Sequence, residues 1–418
     1  MSLSENPNTT TVMSASCAVA TGQPMRWRLP ATPVFVGEVV AFIALMFAAG
    51  APSPLFVLYQ REWGFPTWLL TVAFAIYAFT LLATLLVAGS LSDYIGRRPV
   101  LIAALVIEAI GMSLFVFAPN IGWIIAARAI QGVATGAATS AFTAVIVELA
   151  PERYRRLSAL IVSAAPMGGL ALGAFITGFA IQFTVAPSAI IFSALTLVFL
   201  LGAAITVLAA ETVARRAGVA RSFIPRVVVP RAARREFMAS ALTQIAAWML
   251  AGLFLGLAPS IIRGVFRLDS GLVNGVMVGL APTAGTVASL LLGRVSARLT
   301  QMAGAVASLV GVVVFVAGVI GGWFPLLVIG VVIGGAGFGA SFSGALRTLA
   351  PLVTGTERAG LFAAVYLVCY LAYGAPALVA GELIGVIGLQ RAVIGYAVVV
   401  SIFAAVGLLA QSRLARSR

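Results

Sequence analysis

The stretch Gly89-Ser90-Leu91-Ser92-Asp93-Tyr94-Ile95-Gly96-Arg97-Arg98-Pro99 lies between two long apolar runs, 67–90 and 99–117. A bilayer crossing takes about 20 apolar residues, so each run is long enough to span. An acid, a glycine hinge and paired arginines are therefore confined to a very short connection. The glycines allow a tight turn and close helix approach. Asp93 can cap a neighbouring helix N-terminus, where an anion gains about 0.3–1 kcal/mol. Arg97 and Arg98 hold the turn on the cytoplasmic side of a membrane.

Working outward, the 418 residues are 61% hydrophobic and 9% charged, against roughly 25% charged in soluble domains. The chain therefore reads as a polytopic helical membrane protein, and its 43 glycines suit close helix packing in lipid. Long unbroken apolar runs exclude an outer-membrane barrel, which would show short alternating strands. The net charge of +14 is not a nucleic-acid signature, because every basic residue is Arg and they sit in short loops. An Arg-only basic set hints at a GC-rich bacterial genome. With no His, catalytic His chemistry and His-ligated zinc or haem are absent, and no cofactor or metal is expected. Without Lys there is no phosphate-binding Gly-x-x-x-x-Gly-Lys-(Ser/Thr), so ATP does not drive the protein directly. Cys17 and Cys369 do not suggest a disulfide framework. A membrane-bound enzyme is disfavoured, and a receptor or scaffold would need a soluble domain or long loops.

Twelve spans are expected, near 33–58, 67–90, 99–117, 121–148, 157–181, 187–210, 237–262, 271–292, 302–320, 323–346, 360–381 and 386–411. A polar tail over 1–32, without a signal peptide, reads as disordered and cytoplasmic. The halves would be 33–210 and 237–411, with a basic linker over 211–236 and a short tail over 412–418. With the N-terminus inside, cytoplasmic regions hold twenty-one of the 26 arginines, outside loops hold four, and Arg128 lies within a span. That asymmetry puts both termini inside. Leu149-Ala150-Pro151 recurs as Leu349-Ala350-Pro351, and Gly89-Ser90-Leu91-Ser92 is echoed by Gly293-Arg294-Val295-Ser296. The two halves thus read as a parallel repeat, degraded where Ala297 replaces the acid.

The opening stretch resembles the loop between the second and third helices of the major facilitator superfamily, Gly-x-Leu-x-Asp-(Arg/Lys)-x-Gly-Arg-(Arg/Lys). Only Tyr94 departs from it. Arg128-Ala129-Ile130-Gln131-Gly132 in span four is similar to that family's second motif, Arg-x-x-Gln-Gly. The resemblance implies an all-α fold of twelve transmembrane helices in two six-helix parallel-repeat halves, and a secondary active transporter. It also implies a gating relay Asp93–Arg97–Glu148, set on Gly89, Gly96 and Arg98, that clamps the cytoplasmic side when the protein faces outward. The other reading of these charges is ordinary interfacial pairing worth about 0–1 kcal/mol. The antiporter motif expected in span five is degenerate, since Gly173 to Gly178 lacks its Pro and one Gly. The first-half pattern nevertheless resembles bacterial proton-coupled drug and metabolite exporters.

Arg128 at mid-helix costs at least about 2.5–3.5 kcal/mol and must find acceptors. It serves either a structural ion pair or the shaping of proton or substrate binding. At about 1.5 Å rise per residue its depth allows it to reach Glu108 in span three. Glu108 reads more as a structural partner. Glu38 lies in span one, which resembles a cavity-lining helix of that superfamily, and is the better proton-exchanging group, because a carboxyl moved between dry and wet surroundings can load and release a proton. Cavity candidates are Tyr77, Gln131, Thr135, Thr139, Gln244, Trp248, Asn274, Ser341, Tyr366 and Tyr370, each of which could equally be packing or a helix–helix hydrogen bond. Together they suit an amphipathic organic solute. The expected function is proton-coupled efflux of small organic molecules, with uptake or facilitated diffusion of a nutrient or organic acid as the alternative. The expected partners are that substrate, protons and the lipid bilayer, around a monomer and without nucleic acid.

Overall fold

The computed structural model describes residues 30–416. Nearly all of the 1–32 tail, Cys17 and the last two arginine-tail residues lie outside that range. Among the described residues there is no strand, and twelve helices are long and apolar enough to cross a membrane. They are α1 Thr32–Trp63, α2 Thr67–Ala88, α3 Arg97–Val116, α4 Ile121–Glu148, α5 Glu152–Phe183 and α6 Pro187–Leu208. The second half supplies α7 Arg234–Phe266, α8 Gly271–Arg294, α9 Ala297–Gly321, α10 Phe324–Leu352, α11 Glu357–Ile387 and α12 Leu389–Arg416. Several run past their expected bounds, α11 by the most and α5 and α7 next. Hydropathy marks only the part inside hydrocarbon, whereas the backbone stays helical into polar end turns.

Those ends follow local chemistry. Asn120 accepts the Gly122 amide at 3.0 Å to start α4, and Ser270 accepts the Val273 amide at 3.3 Å to start α8. Thr354 and Glu357 form a capping box at the start of α11. Pro187 opens α6, where its missing N–H is unused.

Twelve crossings put residues 30 and 416 on one face, which also carries most of the arginines and is called the arginine-rich face below. Both leading helices are broken part-way. In α1 the break falls at Ala51, followed by Pro52 and Pro54. In α7 a π-helical turn, Leu253–Leu257, precedes Pro259. The halves join along two antiparallel pairs, α2 on α11 and α5 on α8. Residues 209–233 connect α6 to α7 with only a 3-10 turn at Val219–Phe223.

Candidate functional site

The two seams close on one side only. Toward the face opposite the arginines, α5 and α8 meet backbone to backbone: a Cβ on Gly275 would lie 2.6 Å from the Gly178 Cα and from the Ala174 carbonyl oxygen. A Cβ on Gly381 of α11 would lie 2.0 Å from Thr71 Oγ1 of α2. The same side is latched by an Arg61–Asp269 ion pair and by Ser270 Oγ donating to Gln182 Oε1 at 3.0 Å. Toward the arginine-rich face no residue of 83–88, 159–164 or 286–294 is buried. A lipid-facing helix still hides one face against its neighbours, so these turns have lost their partner across the seam. The halves are sealed at one end and parted at the other.

Arg128 lies beside the sealed end, 2% exposed. Its Nε donates to the Ala73 carbonyl at 3.3 Å, and its Nη1 to the Ala49 carbonyl at 3.5 Å and to Gln131 Oε1 at 2.5 Å. Its guanidinium carbon sits 4.0 Å from the centre of the Tyr77 ring, a cation–π contact. The ion pair to Glu108 expected from depth does not form among the described residues. The reason lies in α1. Pro52 has no N–H to give the Ala48 carbonyl four residues back. Gln131 Nε2 satisfies that carbonyl at 2.7 Å, and its Oε1 then receives Arg128. Backbone oxygens, which a sequence does not display as charge, take the place of the carboxylate. Glu108 is fully buried beside Gln131.

Glu38 is 2% exposed and turns toward α6, not into the space between the halves. Its Oε1 accepts from Thr206 Oγ1 at 2.9 Å, and its Oε2 has no partner.

The second half faces Arg128 with aromatic rings. Trp248 has Tyr370 at 5.1 Å, Phe338 at 5.3 Å, Phe342 at 5.4 Å and Tyr373 at 5.9 Å between ring centres. Tyr366 extends the wall, 6.2 Å from Tyr370. Tyr370 also packs against the cluster of Ala49, Tyr77 and Leu81, and the Phe74 ring lies 4.7 Å from Tyr373, so aromatic side chains cross the seam here. Of the expected cavity residues, Tyr77, Trp248, Tyr366 and Tyr370 come together here. Thr135 and Thr139 turn their hydroxyls back onto their own helix, at 2.8 and 2.6 Å. Gln244 donates to the Ser341 carbonyl at 2.9 Å, while the Ser341 side chain packs against Gly304 of α9; both join helices. Asn274 is buried one turn from the sealed end, next to Gly275.

At the arginine-rich face, Arg97 Nη1 donates to Asp93 Oδ1 at 2.6 Å and Nη2 to Glu148 Oε1 at 3.4 Å, so the three expected relay groups are joined. Asp93 does not cap the next helix, as its charge alone suggested. Glu211, the third residue past α6, does so: its Oε1 accepts the Arg97 amide at 2.9 Å and its Oε2 the Arg98 amide at 3.2 Å. Gly96, with φ +105°, turns the chain there and leaves no room for a Cβ, which would lie 2.4 Å from Glu211 Oε2. Thr212 Oγ1 then donates to Glu148 Oε2 at 2.5 Å, fastening the connection to the same network. In the corresponding loop of the second half, Arg347 at the end of α10 donates to the Leu292 and Val295 carbonyls, while Arg298 pairs with buried Glu236. Glu211, Phe338, Phe342 and Tyr373 were not singled out by the sequence. For Glu211 the available signal was a lone acid just past a span, ahead of Arg215 and Arg216.

Two broken-helix halves, sealed at one end around a buried arginine and an aromatic wall, define a membrane transporter. The family model described as Major Facilitator Superfamily matches residues 39–320, more than half of the sequence. The chain belongs to the major facilitator superfamily, as a secondary transporter. No curated protein sequence matches it. Among solved structures, the POT family transporter PepTSo aligns with a TM-score of 0.72 at 9% identity, over 92% of this chain and 98% of its own. A bacterial homolog to the human lysosomal transporter Spinster, in an inward-facing and unoccupied conformation, gives 0.72 at 12%, over 93% and 98%. The human organic anion transporter MFSD10 (TETRAN) gives 0.58 at 17%, over 90% and 98%. At these identities the likeness is one of fold.

Proposed function

We propose that this protein is a proton-coupled exporter of small amphipathic organic molecules, with its arginine-rich face in the cytoplasm. The observation that carries this reading is the one-sided closure of the α2/α11 and α5/α8 seams, which is one end state of an alternating-access cycle. The arginine asymmetry supports the orientation, so the state described here opens inward. Outward opening would separate Gly178 from Gly275 and break the Arg61–Asp269 latch. The Asp93–Arg97–Glu148 network would then brace the cytoplasmic ends as the halves close there.

Glu38 is the proposed proton carrier. It bridges α1 and α6 through one hydrogen bond and keeps one oxygen unpartnered, so a small shift of α1 changes the surroundings of its charge. Protein in vesicles is given an imposed pH gradient, and substrate accumulation is followed. Glu38→Gln should abolish gradient-driven accumulation while substrate exchange survives. Uphill transport at the normal rate by that variant would remove Glu38 from the mechanism and leave Glu108 as the carboxyl to test.

A further inference from the structure

We infer that the cleft accepts aromatic or heteroaromatic monoanions, carboxylates above all, with the acid group on Arg128 and the ring in the Trp248 aromatic wall. This rests on the transporter reading above and names its substrate class. The first ground is the supply of donors. Arg128 Nε and Nη1 are committed to backbone oxygens and Gln131, but Nη2 has no acceptor among the described residues and is not among the enclosed polar atoms. A guanidinium nitrogen with free N–H groups is matched by a carboxylate oxygen. Trp248 Nε1, an obligate donor, is also buried without a partner.

The second ground is that, among the described residues, no carboxylate is turned to the cleft to offset a cation. Glu38 is turned to Thr206, and Glu108 is fully buried beside Gln131. In the second half Glu236 pairs with Arg298 at the start of α7, and Glu382 is exposed near the sealed face. A cation would meet ring faces and one fixed positive charge. An anion would meet that charge directly. The third ground is spacing. Arg128 rests on Tyr77, Tyr370 packs against the small cluster of Ala49, Tyr77 and Leu81, and Tyr370 lies 5.1 Å from Trp248. Tyr77 and Tyr370 thus lie between the charge and the flat apolar wall, a separation suited to a fused two-ring acid.

Three probes of one shape test this on the purified full-length protein: naphthalene-2-carboxylate, naphthalene-2-methanol and naphthalen-2-ylmethylammonium, by calorimetric titration. The carboxylate should bind at least tenfold tighter than the other two. Arg128→Met should bring it down to the level of the alcohol, and Trp248→Ala should weaken all three alike. If Arg128→Met does not fold, the ranking on the unaltered protein decides. Equal or tighter binding of the alcohol or ammonium, or binding of none of the three, overturns the inference. Counterflow in proteoliposomes separates it from the transporter reading. Ammonium binding with counterflow leaves transport standing and sinks the anion class. Carboxylate binding without counterflow does the reverse.

Discussion

Replacing Glu211 by Ala removes the acceptor for the Arg97 and Arg98 amides, which are otherwise unpaired at the first turn of α3. Loss of an N-terminal cap costs about 0.5–2 kcal/mol, and the site is exposed, so about 1 kcal/mol is expected. The loss should be local. Amide exchange over the first turn of α3 should accelerate about fivefold, since 1.4 kcal/mol is a factor of about ten. Gly96→Ala is the companion variant. It forces a Cβ onto a backbone at φ +105° and to within 2.4 Å of Glu211 Oε2. The strain remains whatever stands at 211, but the collision disappears with Glu211→Ala. The double variant should therefore lose less than the sum of the singles, by about 0.5–1 kcal/mol, as expected of residues in contact. Hydrogen-exchange mass spectrometry of the peptide covering Gly96 to Leu105 reads all three proteins. Unchanged exchange in Glu211→Ala, or strict additivity in the double variant, would refute the cap.

Asp269→Asn should loosen the sealed end, though only by about 0.2–1 kcal/mol, because both partners of this pair are well exposed. A cysteine at position 274, in a background free of Cys17 and Cys369, should label up to about fivefold faster; an unchanged rate would dismiss the latch. Gly275→Leu should hold the sealed end open, because its side chain would have to enter Ala174 and Gly178. Position 274 should then label freely and transport should stop, whereas wild-type turnover would contradict the close-packed seam. Gln131→Leu should cost about 1–3 kcal/mol by orphaning the Ala48 carbonyl. Pro52→Ala, which restores an N–H to that carbonyl, should recover part of the loss in thermal unfolding of the purified protein, and failure to do so would disconnect the two residues.

The number of helices and their pairing into halves were legible because hydrocarbon demands about 20 apolar residues per crossing, and because arginines cannot be scattered across it. The loop Gly89 to Pro99 was legible because its charges are local in sequence. Helix rotation was harder to read. α1 is apolar nearly all round, so nothing in its pattern says that Glu38 faces Thr206 instead of the other half. Arg128 was legible as a charge inside span four, yet its partners were invisible, being the carbonyls of Ala49 and Ala73 and a side chain drawn in by Pro52. Glu211 was missed because its bonds reach 114 and 113 residues back along the chain, to Arg97 and Arg98.

The repeat itself explains the two unlike walls of the cleft. Each half begins with a helix that breaks at comparable depth, at Ala51 to Pro54 in α1 and at Leu253 to Pro259 in α7. Near each break a side chain from another helix bonds to a backbone oxygen. In the first half Gln131 and Arg128 of α4 reach Ala48 and Ala49, which brings a permanent charge into the interior of the bundle. In the second half the bond near the break comes from α12, where the Tyr396 hydroxyl donates to the Met249 carbonyl at 2.7 Å. This contact carries no charge. The face of α10 opposite α4 is therefore free to carry Phe338 and Phe342 against Trp248. A buried charge is tolerable only where acceptors surround it, and rings pack best where no charge must be solvated. The duplicated framework thus gives one half the polar contact and the other the aromatic surface, and a solute between them must satisfy both.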